Sequence, residues 1–221
     1  MTDNIFEQFI FGIYEVLSDI LPGSILLMTF LLKSDLKQFE MLPDSLLILT
    51  FIFIAFIIGQ IIHCIASDLE GYINQKKYGG YPSSILLSDE DTTFPKYFKD
   101  TIRQKVNKNF QTPLDSSSQH IFDICYTFVI QNKLSNRVMI FLNMYTFSRN
   151  MMVAMFIEGI ILSILAYIEI NLLIGLISLL SLCSPYFFYQ RFDRYANSFA
   201  KEVLRSYFVY INKQFMAHKI T

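Results

Sequence analysis

The sequence is poor in charged residues and lacks tryptophan altogether. Asp, Glu, Lys and Arg make up 17% of its 221 residues, whereas hydrophobic residues make up 53% and the mean hydropathy is +0.39. This composition argues against a soluble globular domain and favours a small polytopic membrane protein. The net charge of −1 excludes a global attraction to nucleic acid or acidic lipid, so any such binding has to come from a local patch.

Cysteine is also scarce, and the three cysteines have no paired spacing. Cys64 and Cys183 fall in or beside apolar runs, and Cys125 lies in a polar stretch. The absence of a Cys-x-x-Cys pair argues against disulfides and against zinc. At the N-terminus, Asp3 and Glu7 stand where a secretory signal has its basic region, so we expect this segment to remain in the mature protein.

Motifs of known catalytic chemistry are absent as well. The sequence has no Gly-rich phosphate loop, no Gly-x-Ser-x-Gly elbow and no His-Glu-x-x-His motif. His63, His120 and His218 have no metal-ligand spacing among themselves. We therefore predict a protein that is not an enzyme, with no catalytic residue, no metal site and no cofactor.

Apolar stretches of membrane length are what the chain has instead. A helix needs about 20 apolar residues to cross the hydrocarbon core, because lipid offers no partner for backbone polar groups. Ser45–Ala66 meets this length without a single charge. Met151–Ile168 is interrupted only by Glu158, and a short turn joins it to Leu172–Gln190. These three stretches are predicted as the second, third and fourth spans.

The first span is harder to define. Ile25–Leu32 is too short alone and must draw on Ile5–Leu21 across the Pro22–Gly23 break. The N-terminal segment is amphipathic, because its four acidic residues, Asp3, Glu7, Glu15 and Asp19, lie on one broad face. Two readings stay open: an interfacial helix followed by a short span, or one long span kinked at Pro22.

The basic residues predict the sidedness of the chain, because loops rich in Lys and Arg stay in the cytoplasm. Of the 18 basic residues, only Lys33 and Lys37 lie between the first and second spans, and the other 16 lie in Ser67–Asn150 and Arg191–Thr221. We predict an all-α polytopic integral membrane protein of a bacterial inner membrane, with four transmembrane helices and both termini in the cytoplasm. The loop between spans 2 and 3 and the C-terminal helix are expected to form a cytoplasmic helical bundle. The predicted divisions are 1–66 (amphipathic helix and first membrane hairpin), 67–149 (cytoplasmic module), 150–190 (second membrane hairpin) and 191–221 (C-terminal helix).

Within the cytoplasmic module, glycines, a proline and an acidic triplet predict a loop over Glu70–Asp91. Pro95–Phe110 carries an apolar residue at every fourth position and predicts a short amphipathic helix. Residues Pro113–Ser116 predict a stop followed by a helix N-cap. The third and fourth spans are expected to continue into the cytoplasm as helical stalks, the fourth beyond Pro185.

Polar residues inside the spans are the candidates for a pore or gate. Glu158 lies inside a span, where an ionised carboxylate costs several kcal/mol unless it faces water, finds a partner or takes up a proton. The alternative is a protonated carboxyl bonded to a neighbouring helix, with Gln60 as a suggested partner. Gln60 and His63 form a polar strip that could equally serve helix packing, and His63 could respond to pH or contact Asp68 or Arg149. Asn150 completes this set, although it could also be an interfacial anchor together with Arg149.

Basic residues beside aromatic ones are the candidates for binding a ligand or partner. On the predicted amphipathic helix they interleave with Tyr97 and Phe110, a pattern suited to phosphates and stacked bases but also to a solvated helix face. A nucleotide or oligonucleotide is therefore one candidate ligand. The full set of candidates is Lys96, Lys99, Arg103, Lys105, Lys108, Arg149, Arg191 and Arg194.

The layout resembles the small polytopic membrane subunits of bacterial anti-phage systems of the Kiwa and Hailong type. The resemblance rests on the Pro22–Gly23 break, the Gly59–Gln60–x–x–His63 strip and the basic, aromatic stalks around Arg149 and Arg191–Tyr195. It covers the architecture of the whole chain and no functional residue. It implies an effector or an infection sensor with a cytoplasmic helical part.

Two functions are therefore expected. The first is a homo-oligomeric ion channel or membrane-perturbing effector, gated by a signal or partner at the cytoplasmic helices, since four spans with few polar residues need assembly to build a pathway. The second is a non-conducting membrane scaffold or sensor that recruits a cytosolic partner protein. A transporter ranks below both, because neither more spans nor an inverted repeat is present.

Overall fold

The computed structural model describes residues 2–31, 43–111 and 117–218, without the side chains of residues 2–15, 17 and 214–218. Over these residues the protein is helical and has no strand. The helices are α1 (Thr2–Leu31), α2 (Asp44–Tyr78), α3 (Pro82–Ile85), α4 (Lys96–Phe110), α5 (Ser118–Gln131), α6 (Asn136–Glu169) and α7 (Leu172–His218).

Among the described residues, three helices, α2, α6 and α7, are long and apolar enough to cross a membrane. Much of the surface of their apolar segments is left uncovered by the chain itself; Leu49, Phe53 and Leu180 are each more than 60% exposed. A soluble protein rarely leaves so much apolar surface in contact with water. The predicted all-α fold is confirmed over the described residues, and the length and composition of these three helices favour a membrane protein.

Helix α1 is continuous through Pro22. The long-helix reading of this segment therefore describes the backbone better than two separate pieces. The contiguous apolar part with described side chains, Ser18–Leu31, is shorter than the three long apolar helices. At about 1.5 Å per residue, the whole 30-residue helix is about 45 Å long, enough to cross a bilayer core.

The expected loop over Glu70–Asp91 is wrong in its first part, because α2 continues as helix to Tyr78. The helix ends where Gly79 adopts a left-handed conformation with φ of 70° and donates its amide to Gln75 O at 3.0 Å. Glycine is the residue that takes this conformation without steric cost, so it ends helices in this way. Only the short helix α3 interrupts the irregular chain that follows.

The other predicted elements lie close to their expected places. Helix α4 begins after Pro95 and ends at Phe110, as its apolar spacing indicated. Helix α5 begins one residue later than expected, with Ser117 Oγ accepting a hydrogen bond from the His120 amide at 3.2 Å. The suggested stop at Pro113–Ser116 lies outside the described residues. Helix α7 runs through Pro185 as one 47-residue element.

The chain divides into two compact units. The membrane unit comprises Met1–Glu70 and Asn143–Asp193, and the bundle unit comprises Gly71–Leu142 and Arg194–Thr221. Helices α2, α6 and α7 contribute residues to both.

The bundle unit has a continuous apolar core of its own. The stripes read from the sequence supply it: Phe98, Ile102 and Val106 of α4 are buried, and so are Val203 and Tyr207 of α7. Aromatic contacts add to the core, including the Phe128 and Tyr207 rings 5.4 Å apart in an edge-to-face arrangement. The apolar faces of these amphipathic helices therefore pack into one core.

In the membrane unit, α1 and α2 pack at backbone distance. A Cβ atom added to Gly59 would lie 2.6 Å from the carbonyl carbon of Asp19, and one added to Gly23 would lie 2.7 Å from the Gly59 nitrogen. The facing residue Ala55 is fully buried. Small residues let membrane helices approach in this way, and the approach places the polar groups of α1 and α2 within hydrogen-bonding distance.

Candidate functional site

A network of polar side chains joins three helices of the membrane unit. Helix α1 supplies Asp19, α2 supplies three side chains and α6 supplies three more. Helical spacing explains why they face one another, since residues three, four or seven positions apart share a helix face. The members are Asp19, Gln60, His63, Glu70, Tyr145, Arg149 and Asn150.

Asp19 is the centre of one half of this network. Its carboxylate accepts a hydrogen bond from Gln60 Nε2 at 2.7 Å and lies 3.2 Å from His63 Nδ1. Asn150 Nδ2 donates to the same carboxylate at 3.1 Å and to the backbone oxygen of Ser18 at 3.2 Å. Asp19 is 8% exposed and Asn150 is fully buried. These hydrogen bonds compensate the Asp19 carboxylate for the water contacts that it loses on burial.

Arg149 and Glu70 form the other half. Arg149 Nη1 lies 2.5 Å from Glu70 Oε2, and both side chains are 7% exposed. Tyr145 donates its hydroxyl hydrogen to the other oxygen of Glu70, and the Arg149 guanidinium lies 5.8 Å from the centre of the Tyr145 ring. A buried ion pair of this kind costs much desolvation energy and persists only with good geometry and further hydrogen bonds.

His63 connects the two halves. Its Nδ1 faces Asp19, and its Nε2 lies 3.1 Å from Arg149 Nη2. The imidazole is 39% exposed, which makes it the most accessible of the four contacting side chains Asp19, His63, Arg149 and Glu70. Arg149 Nε and Asn150 Oδ1 are buried without a hydrogen-bond partner. Such incompletely satisfied polar groups are typical of sites that are not optimised for stability alone.

Glu158 occupies a second polar site on α6, eight residues after Asn150 and so about 12 Å further along the helix. Thr29 Oγ1 of α1 donates to Glu158 Oε1 at 3.3 Å, and Ser181 of α7 also hydrogen-bonds this carboxyl group. Next to it, the Ser163 and Ser178 hydroxyls lie 2.6 Å apart, and Ser178 donates to Gly159 O. Glu158 is half-buried and is held by hydroxyl groups from two other helices.

The structure brings together three of the four pore or gating candidates. Gln60, His63 and Asn150 meet around Asp19, whereas Glu158 stands apart from them. The suggested partnership of Gln60 with Glu158 is wrong, because Gln60 donates to Asp19. The partner of Gln60 comes instead from α1, whose Asp19 also accepts a hydrogen bond from Asn150 of α6.

Asp19 and Glu70 are members that the sequence reading did not single out. Asp19 is one of the four acidic residues predicted to share a face of the N-terminal helix, and Glu70 falls at the start of the predicted loop. The signal for Glu70 lies in its spacing, because it follows His63 by seven residues and so returns to the same helix face. No comparable signal exists for Asp19, because its partners lie on other helices.

The candidate ligand-binding residues are scattered. In the bundle unit, Lys99 is 3% exposed and donates to the backbone oxygens of Ser88, at 2.6 Å, and Asp91. Arg103 donates to Leu87 O at 2.6 Å and pairs with Asp89 at 3.2 Å. These two side chains hold the segment before α4, so a ligand would have to compete with the fold for them.

The remaining basic candidates differ in exposure. Lys96 and Lys108 are exposed on α4, and Arg194 is exposed on α7, whereas Lys105 is partly buried. Arg149 belongs to the buried network, and Arg191 is exposed with its guanidinium 3.9 Å from Met144 Sδ. The described residues contain no group of three or more His, Cys, Asp or Glu that could hold a metal ion. Binding of a nucleotide or oligonucleotide stays a prediction.

Comparison of this chain with protein-family models, with curated proteins and with solved structures finds no match.

Proposed function

We propose that this protein is the subunit of a homo-oligomeric membrane channel or membrane-perturbing effector, gated through its cytoplasmic helices. The observation that carries the proposal is the charged and polar network joining α1, α2 and α6 inside the membrane unit. Ionisable groups in membrane helices are expensive and mark ion or proton pathways and moving parts more often than packing. The proposed trigger is a signal or partner that binds the bundle unit.

The same proposal includes four spans with both termini and residues 67–150 in the cytoplasm. Support comes from Thr29, which donates a hydrogen bond to Glu158, a residue in the middle of the apolar part of α6. This contact supports a position within the membrane for the C-terminal part of α1. The excess of basic residues in the segments after α2 and after the apolar part of α7 supports the orientation.

The number of spans is tested by comparing two accessibilities from outside the cell. One is that of a tag at the N-terminus, and the other is that of a cysteine placed at Lys108 of α4. Cysteine 64 and Cys183 would first be replaced by serine in cells expressing the full chain. With four spans, the tag and the Lys108→Cys thiol are both protected from impermeant reagents added outside, while an Asn171→Cys thiol is labelled. If the tag is accessible from outside while Lys108→Cys is protected, α1 does not cross the membrane and the four-span arrangement is wrong.

Conduction is tested by replacing Glu158 with glutamine. The Glu158 side chain is half-buried and held by Thr29 and Ser181, so Glu158→Gln keeps its shape and hydrogen-bonding capacity while removing the charge. We expect the purified protein in liposomes to pass ions when triggered and Glu158→Gln to reduce this flux at least tenfold. Glu169→Gln, at the exposed end of α6, is the matched control and should conduct as the wild type does.

Flux that is absent under every trigger, together with a monomeric state in detergent, would rule out the channel. The proposal extends to bacterial anti-phage defence only through the resemblance of the layout. There the expected result is that expression of the wild type, but not of Glu158→Gln, lowers phage plaque numbers. Equal protection by both chains would separate any defence role from conduction.

The second candidate function is a non-conducting scaffold or sensor that recruits a cytosolic protein. It is favoured by the exposed residues Lys96, Tyr97 and Lys108 of α4, which combine basic and aromatic character. Charge reversal with K96E and K108E should then abolish co-purification of a stoichiometric partner, and reversal of the exposed Lys213 should not. Lys99 is unsuitable for this test because its burial makes it part of the fold.

A further inference from the structure

The geometry around His63 determines where its hydrogen atom lies when the ring is neutral. Arginine can only donate hydrogen bonds, so His63 Nε2, at 3.1 Å from Arg149 Nη2, has to be the acceptor. The hydrogen therefore lies on Nδ1, which donates to Asp19 Oδ1 at 3.2 Å. This tautomer satisfies both ring nitrogens at once.

The neighbouring amide agrees with this assignment. Asn150 Nδ2 has two hydrogens, and it donates them to Ser18 O and to Asp19 Oδ1. Its approach of 3.3 Å to His63 Nδ1 is then a contact between two donors and not a hydrogen bond. Turning the amide round would place its oxygen against two other oxygen acceptors.

Protonation of the ring is incompatible with one of these contacts. An imidazolium carries hydrogen on Nε2 as well, and this hydrogen would point at the Arg149 guanidinium, a second cation and a second donor. On the opposite side, Asp19 would attract the imidazolium. Glu70 reaches the ring only through Arg149, with which it is paired. Proton uptake therefore breaks the His63–Arg149 contact and strengthens the His63–Asp19 contact.

We infer that His63 is a proton-binding site that controls one of the links between α2 and α6. In the neutral state, Arg149 of α6 is held by both His63 and Glu70 of α2. A proton adds to Nε2 of the partly exposed ring, Arg149 keeps Glu70, and α6 is released from His63. This inference goes beyond the proposed function, because it applies whether or not the protein conducts.

The tautomer is tested by nitrogen-15 NMR of the full chain in detergent micelles with labelled histidine. The chain has 3 histidines, and the spectrum of His63→Gln identifies the signal of interest by its absence. At alkaline pH we expect Nδ1 of His63 to have the chemical shift of a protonated nitrogen and Nε2 that of an unprotonated one. The reverse pattern would overturn the inference.

The link itself is tested by the distance between spin labels on α2 and α6. Labels at Ser67→Cys and Phe156→Cys occupy exposed positions, after Cys64 and Cys183 are replaced by serine. Between pH 8 and pH 5 we expect the distance to change by about 1–3 Å, the size of a helix shift at a switching contact.

Two variants of His63 and one control variant make the result decisive. His63→Gln can donate to Asp19 and accept from Arg149 but cannot titrate, so its label distance should stay at the alkaline value at both pH values. His63→Lys should show the acid value throughout, and His120→Gln in the bundle unit should behave as the wild type does. If His63→Lys does not fold, His63→Gln still decides the question. A pH-dependent distance change that persists in His63→Gln, or an unchanged distance after His63 is protonated, would overturn the inference.

Discussion

Replacing Gly59 by alanine is expected to separate α1 from α2 and to destabilise the membrane unit. The added Cβ would lie 2.6 Å from the carbonyl carbon of Asp19, whereas ordinary contacts are 3.4–4 Å, so the backbones have to move apart by about 1 Å. The obstructing group is backbone and cannot rotate away. The separation weakens the bonds from Gln60 and His63 to Asp19, which are 2.7 and 3.2 Å long.

The magnitude follows from these two bonds. Hydrogen bonds to a charged group contribute about 1.5–3 kcal/mol each, and alanine regains about 1 kcal/mol over glycine in a helix. A net loss of about 3 kcal/mol corresponds to a fall in the melting temperature of about 6–12 °C for a chain of this size. Far-UV circular dichroism of the protein in detergent measures this melting temperature.

Gly175→Ala is the matched control. Gly175 also lies in an apolar helix, but its added Cβ would meet only Ala166 Cβ at 3.8 Å, an ordinary contact. This variant should melt at the wild-type temperature or slightly above it. If Gly59→Ala and Gly175→Ala melt alike, the close approach of α1 and α2 does not limit stability and the reasoning fails.

Three further predictions concern stability and reactivity. Arg149→Met strands the buried Glu70 carboxylate and should cost about 3–5 kcal/mol in unfolding free energy, whereas the double change with Glu70→Leu should recover most of it in the same melting assay. Lys99→Met removes the donor to two loop carbonyls and should lower the unfolding free energy by about 1–3 kcal/mol, whereas Lys108→Met should leave it within about 0.5 kcal/mol. Burial raises the pKa of the Cys125 thiol, so maleimide should label it at pH 8 only after unfolding. Alkaline pH should therefore lower the free energy of unfolding, because the Cys125 thiol ionises in its ordinary pH range only in the unfolded chain.

Each of these predictions has an outcome that contradicts it. Equal melting of Arg149→Met and the double variant would mean that the buried charge costs little. Equal losses for Lys99→Met and Lys108→Met would mean that the contacts of Lys99 contribute nothing. Rapid labelling of Cys125 in the folded protein, with the exposed Cys64 and Cys183 replaced by serine, would show that the bundle core is open.

The helical elements were largely predictable because they depend on local pattern. Apolar runs of membrane length predicted α2, α6 and α7, and apolar residues at every fourth position predicted α4. The exception was the stretch after Glu70, where glycine suggested a loop although the helix continues through Gly71. A helix tolerates a single glycine at a cost of about 1 kcal/mol, and it ends at Gly79, where the backbone takes a left-handed turn.

The polar site was predictable only in part. Gln60, His63 and Asn150 were recognisable because polar residues in a membrane span are costly wherever they point. Their partners were not recognisable, since Asp19 and Glu70 are close to them only through the packing of α1 and α6 against α2. Sequence spacing describes one helix at a time and contains no information on which faces meet.

The sequence by itself determined the class of this protein, because the bilayer's demand for apolar length and backbone hydrogen bonding can be read from composition and periodicity. Only the tertiary structure decided which charges are paired. Gly23 and Gly59 let α1 approach α2, and this approach converts isolated acids, a histidine and an arginine into one hydrogen-bonded network. The physical reason is that hydrogen bonds and ion pairs depend on distances of a few ångströms between helices, which the order of residues along the chain does not specify.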